Sequence, residues 1–182
     1  LGPTDKTQFS PYSSSSSTLA NFGLIDLELL ISLDLINKNN LNEKPKNLDK
    51  VNYPEVYTYK DSVLREAHNN LYNSSENTIK EELENFENQN KEIRSELAFQ
   101  MATSIYGDSW KNWPSNLMQP STNDINEFTN KNKREYSFQL FVQYLFSTQW
   151  NKLRQYASTK DIKILGDIPI YTNFHSCDVW LN

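Results

Sequence analysis

Cysteine is almost missing: Cys177 stands alone among 182 residues. A lone thiol cannot close a disulfide within the chain, which fits a reducing compartment. Histidine is as scarce. His68 and His175 lie far apart, and each reads as a surface or packing side chain rather than a ligand. There is no Cys/His cluster for a metal, no glycine loop for a phosphate, and no serine elbow with a histidine partner. The residues therefore call for no metal and no organic cofactor. Long apolar runs are lacking too. A membrane-spanning helix needs roughly 18 such residues, and the longest candidate, 24–35, is interrupted by Asp26, Glu28 and Asp34. Positive charge is not in excess: 18 lysines and arginines face 23 acids, a formal net charge of −5. With no basic stripe to release counterions, a nucleic acid is a poor partner; neutral substrates such as sugars fit. No charged-then-apolar leader opens the chain. It starts on Leu1-Gly2-Pro3-Thr4 and stops at Leu181-Asn182. Both ends read as cut, so a piece of a longer protein is expected.

What is present is mostly helical pattern. Residues 1–18 form a loop, punctuated by Gly2, Pro3, Pro11 and serines 13–17. The serine run alone resembles a flexible linker, but Phe9 and Tyr12 beside it do not belong to one. Leu24-Ile25-Asp26 fits a short strand, with Asp26 capping a helix whose core face is Leu29, Leu30, Leu33 and Ile36. Residues 37–60, rich in asparagine with Pro45 and Pro54, read as a connector. Asp61 or Ser62 then starts a helix bearing Val63, Leu64, Ala67 and Leu71 on one face. The stretch 75–106 reads as two helices or one with a break near 87–92, closed by Gly107. A loop at 108–120 and a short helix at 124–131 follow. The spacing predicts the clearest helix over 135–158, apolar on more than one side and so largely buried.

That helix runs into the stretch on which the chain turns, Lys160-Asp161-Ile162-Lys163-Ile164-Leu165-Gly166-Asp167-Ile168-Pro169-Ile170-Tyr171. Ile162, Ile164 and Leu165 predict a strand, stopped by Gly166-Asp167 and by Pro169, which cannot donate to a ladder. A helix feeding an apolar strand is the mark of a parallel βαβ unit. Asp167 would then stand at the C-terminal lip of a strand, where barrel enzymes keep their chemistry. Position alone favours a turn-capping role for it.

Three stretches together carry a family resemblance. Leu1-Gly2-Pro3-Thr4, Ser10-Pro11-Tyr12-Ser13 and Leu24-Ile25-Asp26-Leu27 resemble the first barrel loop of the 4-α-glucanotransferases, the amylomaltase or disproportionating-enzyme family. Trp110-Lys111-Asn112-Trp113-Pro114 is similar to its Trp-x-x-Trp-Pro segment. Gln143-Tyr144-Leu145-Phe146, Gln149-Trp150, Gly166-Asp167-Ile168-Pro169-Ile170-Tyr171 and Ser176-Cys177-Asp178-Val179-Trp180 resemble its longest shared block.

The resemblance implies an α/β fold: an incomplete (β/α)₈ TIM barrel with helical insertions. Residues 1–182 would be the N-terminal portion, with a mostly helical insertion at about 37–134, since a whole barrel takes about 250 residues. It implies transfer of α-1,4-glucan segments from a maltodextrin donor to glucose or another glucan, through a retaining covalent glycosyl-enzyme. It places the catalytic acids beyond residue 182, so none of Asp5, Asp26, Asp108 or Asp178 is promoted to that role, and this segment alone is expected to be inactive. It gives this chain part of the donor-sugar site. Asp167 would accept hydrogen bonds from sugar hydroxyls, the Tyr12 ring would lie against that sugar, and Ser10 would add a hydroxyl contact. The implied location is the cytoplasm, or a plastid for a plant-type relative.

The sequence also departs from the family pattern. Gln8-Phe9, Ala20-Asn21-Phe22-Gly23 and His175 replace a Gly-Asp, an Ala-Gly-Asn-Pro and an aspartate. Bulky Phe9 and Phe22 would reshape a glucan groove. Three other readings remain: a hydrolase of the same barrel type, an inactive carbohydrate-binding or scaffold protein, and a helical interaction domain. Trp110, Trp113 and Trp180 read as structural before they read as sugar platforms; Asp178 reads as a helix cap.

Overall fold

The computed structural model describes residues 2–4, 10, 12–41, 44–45, 49–75, 78–167 and 172–182. Among them the α-helices run α1 Glu28–Ser32, α2 Tyr53–Asn73, α3 Thr78–Gln89, α4 Ile93–Tyr106, α5 Ser115–Met118, α6 Thr122–Lys131, α7 Lys133–Thr159 and α8 Cys177–Trp180. Single 3₁₀ turns at Phe22–Leu24, Lys38–Leu41 and Trp110–Asn112 join them. None of these helices is long and apolar enough to cross a membrane.

Local chemistry sets the helix ends. The side chain of Asn52 accepts a bond from the Glu55 amide at 3.4 Å, and Pro54 sits in the first turn, where a missing N–H costs nothing. So α2 starts well before Asp61, inside the stretch expected to be a connector. The expected break falls at 90–92, where Asn90 Nδ2 donates to the Phe86 carbonyl at 2.8 Å. Gly107 closes α4 at φ 91°, in the left-handed region that favours glycine. Ser121 and Asp124 form a reciprocal capping box on α6.

α7 is the axis of the packing. Helices α2, α3, α4 and α6 all lean on it, and Phe138, Phe141, Val142 and Leu145 are buried along its length. Each such side chain contributes about 1.5–3 kcal/mol by leaving water. The chain ahead of α1 is fastened to α7 by two glutamines. Gln143 Oε1 accepts from the Ala20 amide at 2.8 Å while its Nε2 donates to the Ala20 carbonyl at 3.3 Å. Gln149 repeats the pattern on Asp26, at 2.8 and 2.9 Å. Gln143 is buried, so Gln143→Ala strands backbone groups away from water. We expect it to lower stability by about 2 kcal/mol. A urea midpoint for the full-length variant within error of wild type would refute this.

Several further local expectations are corrected. Residues 162–165 form no strand, and 24–26 form none; the pairing seen among the described residues is one isolated antiparallel bridge, Thr4 with Ser14. A strand exists only against a neighbour that takes its N–H and C=O groups. Among the described residues none pairs with 162–165, and Leu165 is 98% exposed. The third correction is the cap of α8. Ser176 accepts from the Val179 amide at 3.3 Å, so Asp178 lies inside the first turn rather than at the cap. α1 is also shorter than its apolar spacing predicts. The chain turns at Asp34 (φ 54°), and the Leu35 amide bonds back to the Leu30 carbonyl at 3.0 Å. α7 ends likewise: Asp161 has φ 54° and the Ile162 amide reaches the Ala157 carbonyl at 2.9 Å.

Candidate functional site

The site residues named from the sequence stand on two segments that α7 keeps apart in the chain. The first is the serine loop. Gly2 lets it fold: a Cβ there would stand 2.6 Å from the Ser16 carbonyl oxygen and 2.2 Å from Ser14 Oγ. The Pro3 carbonyl accepts from both the Ser15 amide and Ser14 Oγ, each at 3.1 Å. Ser10 then wraps a tight turn. Its carbonyl accepts from the Ser13 amide at 3.2 Å and its hydroxyl from the Tyr12 amide at 3.3 Å. Tyr12 is thus carried at the tip, 65% exposed.

The second segment is the extended run 162–167 after α7. At its end the exposed Asp167 accepts, on Oδ2, a hydrogen bond from the Tyr12 hydroxyl at 3.3 Å. All three expected site residues are therefore together, across 155 positions of sequence. An exposed aromatic face beside an exposed carboxylate can take a polyhydroxylated ring: the face covers its C–H groups and the acid accepts its hydroxyls.

The rear of the loop is held by acids that the sequence reading passed over or placed differently. Glu96 of α4 accepts from Ser16 Oγ at 3.4 Å and from the Thr18 hydroxyl through the same Oε2. Asp178 accepts from the Ser17 amide at 3.1 Å and from its hydroxyl. The Cys177 amide donates to the Ser15 carbonyl at 2.8 Å. Burial raises the pKa of Glu96, against the bonds from Thr18 and Ser16 that favour its charge. Burial also pushes the Cys177 thiol up, so it is no ready nucleophile. No spacing in the sequence points to these partners.

Trp113 and Trp180 are core residues. Their Nε1 groups donate to the Gly107 and Leu117 carbonyls at 2.8 and 2.7 Å, and both rings flank Phe99. Trp110 is half-buried and bonds the Phe174 carbonyl at 3.2 Å. Phe22 meets Tyr57 edge-on at 4.9 Å; Phe9 and the stretch 168–171 lie outside the described residues. A cleft of about 630 Å³ opens between the loop's rear, the α3–α4 corner and α7. Thr18, Phe86, Glu96 and Trp150 line it, and neither Tyr12 nor Asp167 does. Among the described residues no group of three or more His, Cys, Asp or Glu is placed to hold a metal ion.

Comparison with known proteins agrees with this architecture. The 4-alpha-glucanotransferase family model matches residues 1–182. The chain is 36% identical to a 4-alpha-glucanotransferase of Aquifex aeolicus over all of its own length and 36% of that protein. It is 37% identical to the chloroplastic/amyloplastic 4-alpha-glucanotransferase of Solanum tuberosum, over 95% of this chain and 30% of that one. It superposes on an amylomaltase from Streptococcus agalactiae, solved in complex with acarbose, with a TM-score of 0.84 and 26% identity, covering 94% of this chain and 35% of that one. The chain spans about a third of the length of the curated relatives it matches. With a family model matched from its first residue to its last, the chain belongs to the 4-alpha-glucanotransferase family.

Proposed function

We propose that this chain is the donor-site portion of a 4-α-glucanotransferase that moves α-1,4-glucan segments between maltodextrins. The observation that carries this reading is the Tyr12 hydroxyl on Asp167 at 3.3 Å. Tyr12 supplies an apolar face for the donor sugar next to the cut, Asp167 accepts its hydroxyls, and Ser10 shapes the turn and adds a hydroxyl contact. Positioning of this kind lets remote binding energy orient the bond to be broken. The reaction is retaining and passes through a covalent glycosyl-enzyme, with nucleophile and acid/base carboxyls on later parts of the protein. In that setting the run 162–165 pairs as a strand of a (β/α)₈ barrel, and 37–134 is a mostly helical insertion in it. A cytoplasmic site, or a plastid in a plant-type relative, accords with the single cysteine.

The test uses the full-length protein with maltotriose as sole substrate and resolves products by chain length. Glucose together with a ladder of longer maltodextrins is the expected result. Glucose and maltose without longer products would mean hydrolysis instead. Unchanged maltotriose would leave a carbohydrate-binding or scaffold protein.

A further inference from the structure

The position of Tyr12 needs an explanation from outside the sugar site. Its ring is largely exposed, and among its described contacts the one to a distant element is the single hydrogen bond to Asp167. Where the ring stands is therefore decided by the backbone of its loop. The front of that loop is tied to 2–4 by the Thr4–Ser14 bridge and the Pro3 carbonyl. Ties at one end alone leave a loop free to pivot. Its rear, 15–18, is held from the other side, by Glu96 on α4 and by Asp178 and the Cys177 amide on α8.

We propose that Glu96 is a positioning residue for the Tyr12 loop: by receiving the Ser16 and Thr18 hydroxyls it fixes the rear of the loop against α4, and so sets the place of Tyr12 beside Asp167. Ser16 makes this more than a surface contact. It is buried, and its hydroxyl oxygen accepts the amides of Thr18 at 3.2 Å and Leu19 at 3.0 Å. With its lone pairs so occupied, its proton is left for Glu96 Oε2 or for the Thr18 hydroxyl oxygen at 3.3 Å, which itself donates to that same Oε2. One carboxylate thus orients the hydroxyl that in turn holds two backbone amides. A carbonyl oxygen would serve as well as a carboxylate, because both hydroxyls meet the same Oε2. Burial also disfavours charge on Glu96, against the Thr18 and Ser16 bonds that favour it.

The consequence for transfer rests on the function proposed above; the consequence for the loop does not. The experiment compares Glu96→Ala, Glu96→Gln and Thr18→Val in the full-length protein, by rates against maltotriose concentration and by amide hydrogen exchange over 10–19. Thr18 is exposed, so its variant folds even if Glu96→Ala does not. We expect Glu96→Ala to raise KM about tenfold with kcat changed less than about threefold, since what is lost is placement of the donor rather than chemistry. Exchange over 10–19 should speed up in Glu96→Ala and Thr18→Val, and Glu96→Gln should restore both readouts. Unchanged exchange and KM in Glu96→Ala and Thr18→Val would overturn the proposal, as would a Gln variant as impaired as Ala. If wild type makes no products from maltotriose, the glucan-transfer reading fails alone, and exchange still decides whether Glu96 holds the loop.

Discussion

Asp167→Ala in the full-length protein is expected to lower kcat/KM for maltodextrin transfer by about 10²–10⁴-fold. A carboxylate that accepts two sugar hydroxyls makes two charge-assisted bonds of about 1.5–3 kcal/mol each, and each 1.4 kcal/mol is about tenfold in rate. Stability should hardly move. Asp167 is exposed and its described side-chain partner is Tyr12, and such surface changes usually stay within about 0.5 kcal/mol. Tyr12→Phe keeps the ring and loses the tie, so its loss should be smaller, about tenfold. Steady-state kinetics beside a thermal melt test both. Near-normal kcat/KM in Asp167→Ala would take Asp167 out of the site; a large fall in melting temperature would make it structural.

The second large effect is on acid stability, through His68. This side chain is buried at 3% exposure between Phe138 and Phe141, with Nε2 3.0 Å from Ser137 Oγ. Its pKa is lowered to about 4, first by burial and then by the Arg134 charge, with Arg65 in the same sense and Glu135 opposing. The native state therefore favours neutral imidazole, while the unfolded chain takes a proton near pH 6.5. The contribution is complete above pH 6.5 and is lost as pH falls through about 4, in total about 3 kcal/mol. Urea midpoints at pH 7 and pH 4.5, for wild type and His68→Gln, isolate the effect from the carboxylates. A wild-type decline no steeper than that of the variant would contradict it.

Much of the helical framework was legible in the residues. Apolar spacing located α3, α4 and α7, and Gly107 marked an end, because period and a left-handed glycine are local signals. Where the signal was local but ambiguous, reading it failed. Pro54 looks like a breaker, yet in a first turn it helps to start α2. α1 and α7 stop on left-handed aspartates, Asp34 and Asp161, where a glycine or asparagine is the usual sign. The serine run reads as a linker, because identical hydroxyls in a row carry no pattern. In the fold Ser14, Ser16 and Ser17 each bond a different partner.

By itself the sequence determined the helical periodicities and the lack of a metal-ligand or disulfide pattern, and through motif resemblance it singled out Ser10, Tyr12 and Asp167 as candidate site residues. These depend on residue types and short spacings. Only the tertiary structure decided that Tyr12 meets Asp167, that Gln143 and Gln149 clamp the leading segment to α7, and that Glu96 and Asp178 hold the serine loop. Such partners lie from 78 to 161 positions apart. A contact at that separation is created by packing, since the entropy of closing so long a loop is met by the whole core and not by the pair itself. The same reasoning covers 162–165: β-branched residues favour an extended backbone locally, but a strand forms only when a neighbouring strand is there to receive it.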